Sequence, residues 1–215
     1  GMGFSLSGLS SIHVCDFSDE DGDLPSTNLP PESPPIGFTT ELCLDGMPLV
    51  RVAQNEYRTQ KDSFTRIVGV TETWEAWSGH PEEDVHCGFL VYERGGTIAR
   101  YGCEKSALEY EEPGDVGLSP WALGWQLSKV WDRHGNYWSV SYKTAKQGEA
   151  QHVVGPAEIQ YTGNSATGAA PTRKITFEYS RDDDPRPDPI LNSRRKWIKD
   201  TKLLRTIRVG APTYN

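Results

Sequence analysis

The feature that most constrains this chain is a run of β-favouring residues folded about a polar turn. Trp125-Gln126-Leu127-Ser128-Lys129-Val130-Trp131 leads into Asp132-Arg133-His134-Gly135-Asn136, and Tyr137-Trp138-Ser139-Val140-Ser141-Tyr142 leads out. Asp opens the turn and Gly follows three residues later, the pattern of a type I turn closed by a left-handed glycine. Trp138, Val140 and Tyr142 recur at period two, which gives the second strand one apolar face. A unit of this kind builds sheet and carries no chemistry of its own.

Much of the chain repeats the pattern. Leu42-Cys43-Leu44 and Met47 to Val52 flank Asp45-Gly46, a strong hairpin signal, and Pro48 argues for an edge position. Phe89-Leu90-Val91-Tyr92 and Thr97 to Tyr101 flank Glu93-Arg94-Gly95-Gly96. Residues 56–70 read as strand, turn, strand, and Thr73 to Trp77 as another short strand. Later strands are expected at Glu158 to Tyr161, Lys174 to Tyr179 and Leu203 to Val209. Residues 3–14 alternate apolar and small polar side chains, with Gly8 permitting a bulge. Residues 16–37, acidic and then proline-rich, and 181–192, polar and proline-broken, read as surface loops. Residues 104–120 read as loop with one helical turn, and 193–200 as a short helix or strand.

The predicted fold is therefore all-β: one unit over residues 1–215, an antiparallel sheet of successive hairpins, curved and open, with little helix. Asp45 and Asp132 are expected to set turn hydrogen bonds, and Gly46, Gly95, Gly96 and Gly135 to permit the turns. Phe4, Leu6, Leu9, Trp131, Trp138, Val140, Tyr142, Phe177 and Tyr179 are expected to pack the sheet. The 21 Gly and 15 Pro suit many short strands and turns better than long helices.

Composition narrows the function. A net charge of −8 repels a phosphate backbone, so no nucleic-acid partner is expected. The basic cluster Arg194-Arg195-Lys196, near Lys199 and Lys202, reads as a solvated face. No stretch approaches the roughly 18 apolar residues of a membrane helix, and no signal peptide is visible. Gly1-Met2 reads as a cloning scar. The four cysteines, Cys15, Cys43, Cys87 and Cys103, show no CxxC spacing. They are expected as free buried thiols. One or two disulfides are the alternative if the protein is exported, and the sequence does not pair them.

Candidate chemistry is thin. Glu109-Tyr110-Glu111 matches the Glu-x-Glu of an ADP-ribosyltransferase, but no Ser-Thr-Ser strand accompanies it; Ser26-Thr27-Asn28 is the nearest approach. The 30 acidic residues leave any glycosidase pair unspecified. No nucleophile elbow is present, and His86 and Cys87, adjacent on a strand, point to opposite faces. Asp19, Asp21 and Asp23 resemble a calcium loop, but Phe17 stands where an oxygen ligand belongs. Asp182-Asp183-Asp184 reads as a solvated acidic run. His80, His86, Cys87 and Cys103 match no zinc spacing. No enzyme activity, metal or cofactor is expected.

Five segments, in order, resemble one family. They are Gly3-Phe-Ser-Leu-Ser-Gly-Leu-Ser-Ser-Ile12, Leu42-Cys-Leu-Asp-Gly46, Glu56-Tyr-Arg-Thr59 with Asp62-Ser-Phe-Thr-Arg-Ile67, Trp131-Asp-Arg-His-Gly-Asn-Tyr137 and Tyr161-Thr-Gly-Asn164. They are similar to G-x-G-W-S-L-S-G-L-S-x-I, F-C-L-D-G, E-Y-R-T with D-S-F, D-R-N-G-N and Y-T-G-N of the SpvB-type N-terminal region of Tc toxin B components and related Rhs (YD-repeat) proteins. Phe4 replaces the family's Trp, His134 its turn Asn, and Val14 an Arg. The chain begins within the first motif, so the resemblance implies a piece of a larger secreted or cell-surface protein. It implies a non-catalytic structural segment, part of a hollow β-shell that holds a toxic C-terminal domain. In SpvB-type proteins an ADP-ribosyltransferase is one such domain. The implied partners are the rest of the parent toxin chain and its shell-forming subunits. Cut sheet edges are expected to pair with another copy. The rival reading is a carbohydrate-binding β module, in which exposed Trp74, Trp77, Trp121 and Trp125 stack on sugar rings.

Overall fold

A computed structural model describes residues 8–15, 42–61, 64–73, 84–111, 121–147, 150–180, 190–192, 198–200 and 202–210. The predicted loop at 16–37, residues 181–189 of the loop predicted at 181–192, and Phe4 and Leu6 lie outside the described residues, while Ile190–Asn192 is strand rather than loop because it pairs with Ile198–Asp200. The strands in chain order are β1 (Ser11–Val14), β2 (Leu42–Leu44), β3 (Met47–Ala53), β4 (Glu56–Thr59), β5 (Arg66–Thr73), β6 (Asp84–Tyr92) and β7 (Ile98–Gly102). A 3-10 turn, Lys105–Ala107, precedes β8 (Leu108–Glu111). Then follow β9 (Trp121–Trp131), β10 (Asn136–Gln147), β11 (Ala150–Asn164), β12 (Arg173–Tyr179), β13 (Ile190–Asn192), β14 (Ile198–Asp200) and β15 (Leu204–Gly210).

Thirteen of these strands form one antiparallel sheet, and β13 and β14 pair separately. The predicted all-β, hairpin-by-hairpin architecture is what the chain adopts. Openness is one exception, and the edge position expected of Pro48 is another, because β3 pairs with β2 through Cys43↔Pro48 and with β4 through Leu49↔Thr59 once the barrel closes. β1 pairs with β2 on one side and with β9 on the other, through Ser11↔Gln126 and Ile12↔Trp125. β7 also pairs with β9, through Ile98↔Trp131 and Tyr101↔Leu127. The eight strands β1 to β7 and β9 therefore close into a barrel rather than an open sheet. Closure removes two hydrogen-bonding edges, which is the physical reason it wins over an open sheet of the same hairpins.

β9 is the hub, because it is long enough to serve different neighbours along its length. One stretch pairs with β7 and the next with β8, as Leu108↔Trp125 and Glu111↔Trp121. Its pairing with β10 lasts only from Tyr137↔Trp131 to Ser139↔Lys129. β10 then leaves with β11, and β11 returns to β8 through Gln151↔Tyr110. β12 and β15 extend this sheet outward, and among the described residues β15 is paired on one side only.

The barrel holds the main core, with Ile12, Leu42, Ile67, Phe89, Leu108, Tyr110, Trp125 and Leu127 all buried. A second cluster of Ala107, Val140 and Tyr142 lies under β10, and Leu9 and Trp138 pack against both clusters. Two disulfides pin the barrel, which corrects the expectation of free thiols. Cys15 bonds Cys43, with Cα atoms 5.2 Å apart, and Cys87 bonds Cys103, with Cα atoms 4.5 Å apart. Sheet register is the cause. His13 lies opposite Cys43 and Gly88 opposite Gly102, which brings each cysteine pair within bridging range.

Candidate functional site

Four of the five family-like segments meet at two places, and the fifth, Glu56–Thr59, lies in the barrel wall as β4. The first is the barrel rim. Asp45 and Gly46 both take positive φ, 50° and 80°, as a two-residue hairpin turn requires. The Asp45 carboxylate accepts hydrogen bonds from Ser10 Oγ at 2.5 Å and from the Ser11 amide at 3.0 Å. Tyr101 OH donates in turn to Ser10 Oγ at 3.0 Å. Burial, opposed by that hydrogen bond, pushes the Tyr101 phenol up to about 12. Asp45 thus does more than close its own turn, because it ties the β2–β3 hairpin to the strand that seals the barrel.

The second place is the tip of the β9–β10 hairpin. Asp132 Oδ1 accepts from the amides of His134 at 2.8 Å and Asn136 at 3.0 Å, and Oδ2 accepts from Asn136 Nδ2. These bonds, the Asn136 side chain first, hold its carboxyl below the usual range. Gly135 sits at φ +81° and its amide donates to Asp132 O. The Tyr161–Asn164 motif docks directly on this turn. Asn164 Nδ2 reaches His134 O at 3.2 Å and Asn136 Oδ1 at 2.8 Å, and the Ser165 amide donates to Gly135 O at 2.8 Å. Tyr137 lies across Gly163, where any Cβ would stand 2.4 Å from the ring. Lys129 Nζ sits 3.9 Å from the Tyr137 centroid and 5.8 Å from that of half-buried Trp131.

The Glu93–Thr97 turn repeats the hydrogen bonds of the Asp132 turn, with Gly96 at φ +82°. Gly95 holds no positive φ, so its backbone freedom is not what that turn uses. Val140, Tyr142 and Phe177 are buried. Tyr142 OH donates to Leu127 O at 2.6 Å, and Tyr179 OH donates to Pro156 O at 2.9 Å.

The described residues singled out as candidates for catalysis hold structural roles. Tyr110, between the two Glu-x-Glu residues, is buried and donates to Gln151 Oε1. Cys87 and Cys103 are consumed in a disulfide, which removes them as nucleophile or zinc ligands. Among the described residues no three His, Cys, Asp or Glu side chains gather as a metal site. His80, the Asp19 and Asp182 runs and Arg194 to Lys196 lie outside the described residues. Of the four Trp proposed to stack on sugars, only the Trp125 side chain is described, and it is not available for stacking. Trp125 is 1% exposed and packs edge-on to Phe89 and His86, while Trp74, Trp77 and the Trp121 side chain lie outside the described residues.

Comparison with known proteins places the fold. No family model and no curated protein matches the sequence. The N-terminal domain of effector protein SpvB from Salmonella typhimurium strain LT2 matches with a TM-score of 0.59 and 14% identity, over 93% of this chain and 74% of that one. The Photorhabdus luminescens Tc holotoxin pore matches with a TM-score of 0.57 and 13% identity, over 93% of this chain and 11% of that one. The TcdB2-TccC3-Cdc42 structure matches with a TM-score of 0.54 and 12% identity, over 93% and 11%. What is shared is the fold. This chain spans about a tenth of the length of the Tc chains it matches. Among the described residues no helix is long and apolar enough to cross a membrane.

Proposed function

We propose that this chain is a non-catalytic structural segment of an Rhs/Tc-type toxin, forming part of the β-shell that encloses or presents a toxic C-terminal domain. The observation that carries the reading is the fold match over 93% of the chain to structures of Tc toxin assemblies and of the SpvB N-terminal domain. The motif geometry supports it, since the Asp45 and Asp132 carboxylates are spent on hydrogen bonds that tie turns and strands together. Two disulfides fit a protein that matures in an oxidising, extracellular setting. The partners are the rest of the parent chain and its shell-forming subunits, and β15 supplies the edge they would meet. Ile207 and Val209 on that strand are 52% and 72% exposed, an unprotected apolar edge in the isolated chain.

Hydrogen exchange tests the proposal. In the full-length parent, β15 amides on the open side are expected to be protected; in the 215-residue chain they exchange quickly. Equal exchange in both contexts would remove the shell-wall reading.

A further inference from the structure

The fork where β10 leaves β9 opens a cleft on the polar face of the sheet. Its floor follows from register. Arg100 lies opposite Lys129, Lys129 opposite Ser139, and Ser139 opposite Gln160, so four strands place these side chains in one row. Ser141 and Glu158, also register partners, form the next row on the same face. The cavity is about 190 Å³, and Glu104, Ser106 and Ser128 complete its wall.

Four properties define what fits. The volume is below the several hundred Å³ of sites for drug-sized ligands, which limits the occupant to about one small ring. The lining carries Arg100 and Lys129 against Glu104 and Glu158, and Lys174 already pairs with the Glu158 carboxylate at 3.0 Å, so a bare cation is not selected. Glu158 accepts from Gln160 Nε2 at 2.6 Å and from Lys174 Nζ at 3.0 Å, which fixes its carboxylate as an acceptor. Lys129 Nζ rests on the Tyr137 and Trp131 rings rather than on a carboxylate, leaving its donors available. Between them, the Ser139 and Ser141 hydroxyls hold no hydrogen bond among the described residues.

We propose that this cleft binds a single neutral sugar ring. Adjacent hydroxyls of a pyranose both donate and accept, so one diol can donate to Glu158 and accept from Lys129 while Ser139 and Ser141 complete either sense. An anion without hydroxyl hydrogens would use Lys129 and the two serines as donors but offer Glu158 no further donor. The site differs from the buried Trp125 and does not depend on the shell reading.

The test titrates the chain with methyl glucoside, galactoside and mannoside and with N-acetylglucosamine, followed by NMR. Sodium phosphate and a Lys-Glu dipeptide serve as charged probes. A saturable shift with Kd on the order of 1 mM is expected for at least one sugar. The Ser139→Val/Ser141→Val double variant keeps strand-favouring residues at both positions. It should keep the melting temperature and weaken binding about tenfold. Three results would each overturn the proposal: no sugar binds, the double variant binds as well as the parent, or a charged probe binds more tightly than every sugar. If the double variant loses its melting transition, Lys129→Met replaces it under the same criteria.

Discussion

The barrel and the outer sheet are built from the same hairpins yet stabilised in different ways. The barrel closes on itself through β1 and β9, carries both disulfides and buries Trp125, Phe89 and Ile67 almost completely. The outer strands β12 and β15 hold no disulfide. Their ion pairs Arg208–Glu178 at 2.7 Å and Lys174–Glu158 at 3.0 Å are largely exposed. Exposed pairs of this kind contribute little, typically under about 1 kcal/mol. The lesson is that one end of the sheet is self-sufficient, while the other is finished well only on its polar face. Its apolar face runs through the register partners Val140, Ile159, Ile175 and Val209, from buried to 72% exposed.

The largest expected break in that contrast is covalent. Replacing Cys87 and Cys103 by Ala should cost the barrel about 3 kcal/mol, as expected for a loop of 16 residues. Calorimetry should then show the barrel transition lowered toward that of the outer sheet. An unchanged transition would mean that closure alone holds the barrel.

Acid should act on the same side of the comparison. Burial pulls the His86 imidazole down to about 4 from its ordinary 6.5. Between those values the unfolded chain binds the extra proton and the folded barrel does not, so stability falls as pH drops from about 6.5 to about 4. The full loss is on the order of 3 kcal/mol. His86 packs against Phe89 and Trp125, so denaturant melts followed by indole fluorescence report it. A His86→Leu variant should flatten the pH slope; a slope left intact would assign the effect elsewhere.

Gly135→Val should be next, costing about 2 kcal/mol, because a β-branched residue is strained at positive φ. Its Cβ would also stand 2.9 Å from the Ala166 amide nitrogen, disturbing the docked turns. A lowered melting temperature is expected, with exchange increased at Asn164 and Ser165 before the barrel. An unchanged melting temperature would refute the turn assignment.

The smallest effect belongs to the open edge. Val209→Lys should change the stability of the chain by less than about 0.5 kcal/mol, since its side chain is already solvated. It should reduce any concentration-dependent association seen by sedimentation. A large loss of stability would show that Val209 is covered in the isolated chain.

How much was legible follows the range of the interactions. The Asp45-Gly46 and Asp132 turns and the flanking strands could be read because turn chemistry and period-two alternation act over a few residues. The 3-10 turn near 105 was readable too, but β8 was not. Leu108–Glu111 sits in an acidic, glycine-punctuated stretch and becomes a strand only because β9 and β11 offer it partners. β11 is 15 residues long, far beyond the predicted Glu158 to Tyr161, because register shifts let Gly155 and Pro156 stay within the ladder. The polar cleft left no sequence signal, since its residues come from separate strands and meet only through register.

The sequence by itself determined that this chain makes antiparallel sheet, where its tight turns fall, and which faces of its strands are apolar. Those are short-range properties, set by backbone sterics and side-chain alternation. Only the tertiary structure decided that the sheet closes, that Cys15 meets Cys43 and Cys87 meets Cys103, and that β15, among the described residues, is paired on one side only. Each of these depends on which distant strands pair. Strand pairing is chosen by the total surface buried and edges satisfied against the entropy of closing the intervening chain, a balance that no local stretch of residues contains.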